Sequence, residues 1–359
     1  MRLAVFSYGL PVPGQKRGGI ERAADVLAQG LADRGHQVVV FSHDPKPAGR
    51  TYEVRDLPWK NFVNTWLGRR VTMGYLGNVM ALVPDYRGFD AIVAHGDSLL
   101  LPLAGKPVLR VMHGSAWGEA AHATSPGRFV LQCGVYLQEL LTAITTPATV
   151  GVSGNTKRAN PFVRHVIPHG VDTRVFQPEP RERTTEPSIV FVGAHEGRKR
   201  GRFLLEIFHR VVRPVLPDAT LAFVGPQGPD LPGVTYYTGV SDAVLASLYR
   251  RAWVFASPST YEGFGLPYLE AMACGTAVLA TPNPGSREVI GGSPHGRLAE
   301  DAGFSEALLG LLTDGSLRRA SEAAGLLRAR EFSIDLMLDR YESLLMQLCG
   351  AHAGSIASA

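Results

Sequence analysis

Ser257-Pro-Ser-Thr-Tyr-Glu262-Gly-Phe-Gly265-Leu-Pro-Tyr-Leu-Glu270-Ala-Met-Ala-Cys-Gly275 is the stretch that decides how this chain reads. A short apolar run, Val254–Ala256, leads into a loop with two glycines, and Pro267 suits the first turn of a new helix. The N–H groups around Phe264, Gly265 and Leu266 then point out of a helix N-terminus. Orphan donors and the positive end of the helix dipole together make an anion site suited to a diphosphate. Glu262 precedes the helix and Glu270 is expected in its first turn. Two carboxylates beside a phosphate would repel it, so each is expected to serve a sugar or ribose hydroxyl instead. Taken singly, Glu270 reads equally as an acid complementing a helix N-terminus, and Gly263 and Gly265 as a tight turn.

Working outward, short β-branched runs alternate with helical patterns along the whole chain. Leu3–Phe6, Val38–Phe41, Ala91–Ala94, Val108–Met112, Thr149–Val152 and His165–Ile167 read as buried strands. Ile20, Ala23, Ala24, Leu27, Ala28 and Leu31 form one apolar helix stripe between the first two, stopped by Arg34-Gly35-His36. A second array starts at Ile189–Val192 and continues through Ala219–Val224, Val234–Tyr237, Val254–Ala256 and Ala277–Ala280. The polar, Pro-rich stretch Phe176–Pro187 reads as the linker. The expected fold class is α/β: two doubly wound, Rossmann-like parallel-sheet domains facing across a cleft, with ligands at the carboxyl ends of the strands. The expected divisions are 1–178, 179–332 and a terminal helix at 333–350.

Composition sets the limits. The 359 residues are 45% apolar and 19% charged, enough for two cored domains and inconsistent with disorder. Residues 133–152 are the most apolar long stretch, but Gln138, Glu139 and Pro147 argue against a membrane span. The opening Met1–Ser7 reads as a first strand, not a secretory signal. Three separated cysteines, Cys133, Cys274 and Cys349, argue for a reducing, cytoplasmic setting. Residues 1–180 hold 19 Lys and Arg against 13 Asp and Glu, whereas 181–359 hold 17 against 19. That imbalance is too scattered to suggest nucleic acid.

Glu262 and Glu270, inside Ser-x-x-Glu-Gly-Phe-Gly-Leu-Pro-x-x-Glu-Ala-Met-Ala-Cys-Gly, resemble the signature of retaining glycosyltransferases of the GT-B fold, family 4. Gly18-Gly19-Ile20-Glu21 is similar to that family's N-terminal glycine loop, and Ile167–Asp172 with Phe176-x-Pro178 to its pre-linker motif. Ile189–Gly201 stands where the basic phosphate-binding segment belongs, and Pro282–Val289 closes the match. The resemblance implies that Gly18 and Gly19 bring backbone close to a donor diphosphate. It implies that Glu262 holds a hydroxyl of the donor sugar, that Gly263 and the Phe264–Leu266 amides meet the diphosphate, and that Glu270 holds the ribose. It further implies that Lys199 balances leaving-group charge and that His113 contacts the donor sugar. No metal or other cofactor is expected, because the cations do that electrostatic work.

The chain departs from the pattern in Gly193-Ala-His-Glu-Gly-Arg198-Lys199-Arg200-Gly201, where Ala194 replaces the expected arginine. Lys199 is then the expected lysine, with Arg198 or Arg200 supplying the missing guanidinium. His95 and Asp97, after another strand, are placed on the acceptor side. The expected substrates are a nucleotide sugar and a saccharide, glycolipid or small-molecule acceptor, joined with retention of configuration. A nucleotide-sugar epimerase or hydrolase, and a silent nucleotide-sugar binder, are the rivals. A dehydrogenase is disfavoured because Gly-x-Gly-x-x-Gly is absent after the first strand. In residues 58–76, Trp59, Phe62, Val63, Trp66 and Leu67 recur at helical spacing beside Lys60, Arg69 and Arg70. They read as a helix on the N-terminal sheet, an acceptor lid, or a peripheral contact with a membrane. The last helix is expected over Ile334–Cys349, with a frayed tail after Gly350, and the resemblance implies that it crosses back onto the N-terminal domain.

Overall fold

The computed structural model describes residues 1–12, 19–57, 78–96, 98–121 and 125–357. Gly18, Asp97 and the amphipathic stretch 58–76 therefore lie outside the described residues. The chain packs as two compact units, Met1–Pro168 with Met337–Ala359, and His169–Leu336.

In the first unit, strands β1 (Arg2–Ser7), β2 (Gln37–Ser42), β3 (Glu53–Asp56), β4 (Ala91–His95), β5 (Val108–Met112), β6 (Ala148–Gly151) and β7 (His165–Val166) form one parallel sheet in the order 3-2-1-4-5-6-7. Every strand read from the sequence is present, because apolar β-branched runs leave little choice of local structure, although the two-residue edge strand β7 is not buried as expected. The short edge strand β3 was not foreseen. Its sequence, Glu-Val-Arg-Asp, is mostly exposed and carries no apolar run. Helix α1 (Gly19–Asp33) buries Ala23, Ala24, Leu27, Ala28 and Leu31 against the sheet, while Ile20 stays exposed. Gly35, at φ 86°, ends it with a left-handed turn that favours glycine.

In the second unit, β8 (Ser188–Val192), β9 (Thr220–Val224), β10 (Val234–Tyr237), β11 (Val254–Ser257), β12 (Ala277–Ala280) and β13 (Arg297–Leu298) form a parallel sheet in the order 10-9-8-11-12-13. Phe191, Phe208, Phe223 and Phe304 fill its core. Two-residue β13 was also missed, being too short to show a period.

Residues 169–178 belong with this unit and not with the first domain. Val171 N–H donates to Phe332 O at 2.8 Å, and Ile334 N–H donates to Val171 O at 3.2 Å. A Cβ on Gly170 would come within 2.7 Å of Ser333 O, so the two passing backbones pack without side chains between them. The boundary thus falls at Pro168, ahead of the Pro-rich linker, because backbone pairing outweighs composition here.

The last helix runs Ile334–Ala357, past the expected fraying point, in keeping with its alanine-rich end. Met337, Leu338, Tyr341 and Leu345 are buried on it. Leu338 lies where a side chain on Gly30 would stand, its Cδ2 2.6 Å from the place of that Cβ. Arg34 reaches Asp339 at 2.7 Å and Glu342 at 2.9 Å, and His36 Nε2 meets Glu342 Oε1 at 2.7 Å. Apolar burial holds this helix; the half-exposed ion pairs set its register. We expect Leu338→Ala to cost about 2–5 kcal/mol of stability. Limited proteolysis should then release the segment after Met337, and resistance equal to wild type would count against this account.

Near the start of the second unit, His169 sets its ring edge-on to Phe264 at 5.5 Å between centroids. Although the ring keeps some solvent contact, the atoms packed round it push its pKa from 6.5 down to about 4. Between those values the unfolded chain takes up a proton that the folded ring refuses, so stability falls as pH drops through this window. Thermal melting should show that loss in wild type and a flatter profile between pH 4 and 6.5 in His169→Asn. Equal slopes would remove the explanation.

Candidate functional site

Strands β8 and β11 are neighbours at the point where the order of the second sheet reverses, and the loops after them diverge. Such a switch point leaves a crevice at the carboxyl ends of the strands. Residues 193–200 follow β8 and residues 258–265 follow β11, so the basic segment and the carboxylate loop meet there through sheet topology alone.

The two loops are joined at close range. Arg198 O accepts from Thr260 N–H at 2.9 Å and from Ser259 Oγ at 3.1 Å. In return, Arg198 Nη1 donates to Tyr261 O at 2.7 Å and to Glu262 Oε2 at 2.6 Å. Lys199 Nζ meets Glu262 Oε1 at 2.6 Å, and Ser259 Oγ donates to the same oxygen at 2.7 Å. Gly193 makes this possible, since a Cβ there would stand 2.9 Å from Lys199 Cβ.

Glu262 is 6% exposed. Burial alone pushes its carboxyl pKa up, but Lys199, Arg198 and the Ser259 hydroxyl outweigh that and hold it below the usual carboxylate range. It is therefore ionised at neutral pH, an acceptor of hydrogen bonds and not a proton donor. Lys199 is partly exposed at 19%, so its ammonium is shared between the carboxylate and the solvent side of the loop.

Arg200 does not join this cluster. Its guanidinium pairs with both oxygens of Asp301, at 2.8 and 2.6 Å, and lies over the Phe203 ring at 4.3 Å. Its φ of 56° is the only positive non-glycine value among the described residues. A left-handed backbone of this kind costs about 1–3 kcal/mol and persists only where the surroundings hold it. Of the two arginines considered for the missing guanidinium, the structure brings Arg198 to Glu262 and turns Arg200 toward Asp301.

Helix α2 (Leu266–Ala273) begins as the glycine loop predicted, with Gly265 at φ 99° as N-cap and Pro267 in its first turn. Leu266 N–H is among the donors that such an end leaves without a helical partner. Phe264 is buried, packed edge-on against Phe332 at 5.8 Å. Glu270 falls beyond the first turn, which holds no acid, and is 2% exposed. Its Oε2 accepts from Tyr249 Oη at 3.2 Å. The expectation of a first-turn carboxylate is therefore corrected: the helix starts only at Leu266, and Glu270 is too deep to be a surface cap.

Two positioning residues escaped the sequence reading. A Cβ on Gly285 would stand 2.6 Å from Phe264 O and 2.7 Å from Glu262 Cβ, so only glycine lets the next helix abut the carboxylate loop. Asn283 caps that helix, Pro284–Val289, and its Nδ2 donates to Ser259 O at 2.9 Å. The Asn-Pro-Gly-Ser string was a visible capping signal. What it capped against was not visible.

In the first unit, β4 and β5 are adjacent; His95 is the last residue of β4 and His113 directly follows β5. Their rings stack at 5.1 Å and 24°, with His95 Nδ1 2.8 Å from His113 Nε2. One nitrogen donates and the other accepts, which orders the two rings relative to each other. The structure thus unites two histidines that the sequence reading assigned to different substrates. Gly19 is exposed at the start of α1. Among the described residues, no group of three or more His, Cys, Asp or Glu side chains is placed to hold a metal ion, and no helix is long and apolar enough to cross a membrane.

Comparison with known proteins agrees with this geometry. Residues 17–175 match the sequence pattern of Glycosyltransferase Family 4, and residues 186–314 that of Glycosyl transferases group 1. An MMP alpha-(1->4)-mannosyltransferase of Mycolicibacterium hassiacum is 36% identical over 90% of this chain and 92% of its own length. A phosphatidyl-myo-inositol mannosyltransferase of Mycolicibacterium smegmatis is 28% identical over 89% of this chain and 87% of its own. The solved sucrose-phosphate synthase of Thermosynechococcus elongatus superposes with a TM-score of 0.80 at 21% identity, covering 98% of this chain and 99% of that one. With the switch-point carboxylates, the paired parallel-sheet units and these matches together, the chain belongs to glycosyltransferase family 4 and has the GT-B fold.

Proposed function

We propose that this glycosyltransferase moves a hexosyl group from a nucleoside-diphosphate sugar to a hydroxyl of a saccharide, glycolipid or small-molecule acceptor, with retention of configuration. The observation that carries the proposal is the ionised, buried Glu262 held by Arg198 and Lys199 beside the glycine-capped start of α2. Mannose is the first donor sugar to test, since both relatives above are named as mannosyltransferases.

In this reading the donor diphosphate lies between the Phe264–Leu266 amides and the Lys199 and Arg198 cations. As the bond from the anomeric carbon to phosphate oxygen breaks, negative charge grows on the leaving group, and these fixed donors stabilise it. The acceptor oxygen bonds to the anomeric carbon on the same face, and its proton passes to the departing phosphate oxygen. Glu262 is ionised and accepts from a sugar hydroxyl, which orients the ring without proton exchange. With both its oxygens engaged by Arg198, Lys199 and Ser259, Glu262 serves here as a hydrogen-bond acceptor and is assigned no covalent intermediate. Glu270, steadied by Tyr249, holds a ribose hydroxyl of the nucleotide. His113, its ring held by His95, is the first unit's candidate for meeting a substrate sugar.

Transfer should proceed without added metal, since the cations do that electrostatic task; loss of turnover in EDTA, restored by a divalent cation, would refute this. With GDP-mannose and UDP-glucose as donors and acceptors screened by mass spectrometry, Lys199→Ala should lower kcat about 10²–10³-fold. Glu270→Ala should raise the donor KM about tenfold. The reading fails if neither nucleotide sugar binds, or if Glu270→Ala leaves binding and turnover intact.

A further inference from the structure

Arg200 is the residue that neither the ionised cluster nor the helix N-terminus uses, yet it is the one held in a backbone conformation that non-glycine residues avoid. It closes the short turn Gly197–Lys199, with Arg200 N–H donating to Gly197 O at 3.2 Å, and directly precedes the next helix, Gly201–Ile207. The two cations that meet Glu262 are the last two residues of that turn. Flanking backbone bonds anchor the far side, Gly201 N–H to Ala194 O at 3.1 Å and Arg202 N–H to His195 O at 3.0 Å. The left-handed twist at residue 200 therefore sets the direction in which Arg198 and Lys199 leave the turn. Its side chain is tied down by Asp301, at the first position of the helix Asp301–Thr313, and by the face of Phe203.

We propose that Arg200 is a positioning residue. Its ion pair with Asp301 holds the 197–200 turn in the left-handed form that aims Arg198 and Lys199 at the donor diphosphate, and its own guanidinium does not touch the donor. The inference rests on the donor site proposed above. It also explains how the chain manages with Ala194 in the expected arginine position: the guanidinium comes from Arg198, at the cost of a strained residue two positions later.

The test separates backbone from side chain. Arg200→Ala loses the tether and keeps a Cβ that opposes the left-handed form, whereas Arg200→Gly loses the tether and adopts that form freely. Calorimetric titration with GDP and UDP, together with donor KM and kcat, should show Arg200→Ala and Asp301→Ala weakened about tenfold in affinity and KM with kcat changed much less. Arg200→Gly should return affinity and KM to within about threefold of wild type, although it lacks the guanidinium. Equal weakening in the alanine and glycine variants would mean that the guanidinium binds the donor directly and would overturn the proposal. So would unchanged affinity in all three variants, which would leave the pair purely structural. Should the wild type bind neither nucleotide, the donor-site reading falls and this inference with it; binding with the wrong variant pattern sinks this inference alone.

Discussion

A carboxylate that is 6% exposed needs opposite charge within reach, and Glu262 has two cations and a hydroxyl. A buried ion pair of this kind adds little to stability when complete, yet losing one partner leaves an uncompensated charge in a poor dielectric. The surroundings are arranged round that constraint. Gly193 leaves space for the lysine stem, Gly285 lets the following helix abut the loop, and Asn283 ties that helix back to Ser259. The outcome is a rigid group of fixed charges, which is what stabilising a departing diphosphate requires.

The fold delivers this arrangement through one topological fact. Strands β8 and β11 lie side by side where the strand order of the second sheet reverses, so two loops separated by about sixty residues of sequence open from adjacent strand ends. The same logic operates in the first unit, where adjacent β4 and β5 place His95 and His113 in contact. Both sites are thus products of parallel pairing, in which every strand ends on the same side of the sheet.

Much of this was legible in the residues themselves. The buried strands announced themselves as short apolar runs, and Gly265 with Pro267 marked the start of α2 within one residue. The edge strands Glu53–Asp56 and Arg297–Leu298 did not, since exposed or very short strands carry no hydrophobic pattern. The two arginines flanking Lys199 were indistinguishable as a string; only the left-handed twist at Arg200 and the presence of Asp301 separate them. Glu270 was read correctly as a carboxylate near a helix start but one turn too shallow, because local pattern does not report depth.

By itself, then, the sequence determined the class of the protein: the α/β alternation, the paired arrays, and the carboxylate loop whose residue types suit a diphosphate and its sugar. These follow from periodicity and backbone preference, which are local. Tertiary structure alone decided which cation meets which carboxylate, and that His95 and His113 meet at hydrogen-bonding distance. Each of those depends on residues far apart in the chain being brought within hydrogen-bonding distance. Coulomb and hydrogen-bond energies act at that separation in space, whatever the separation in sequence.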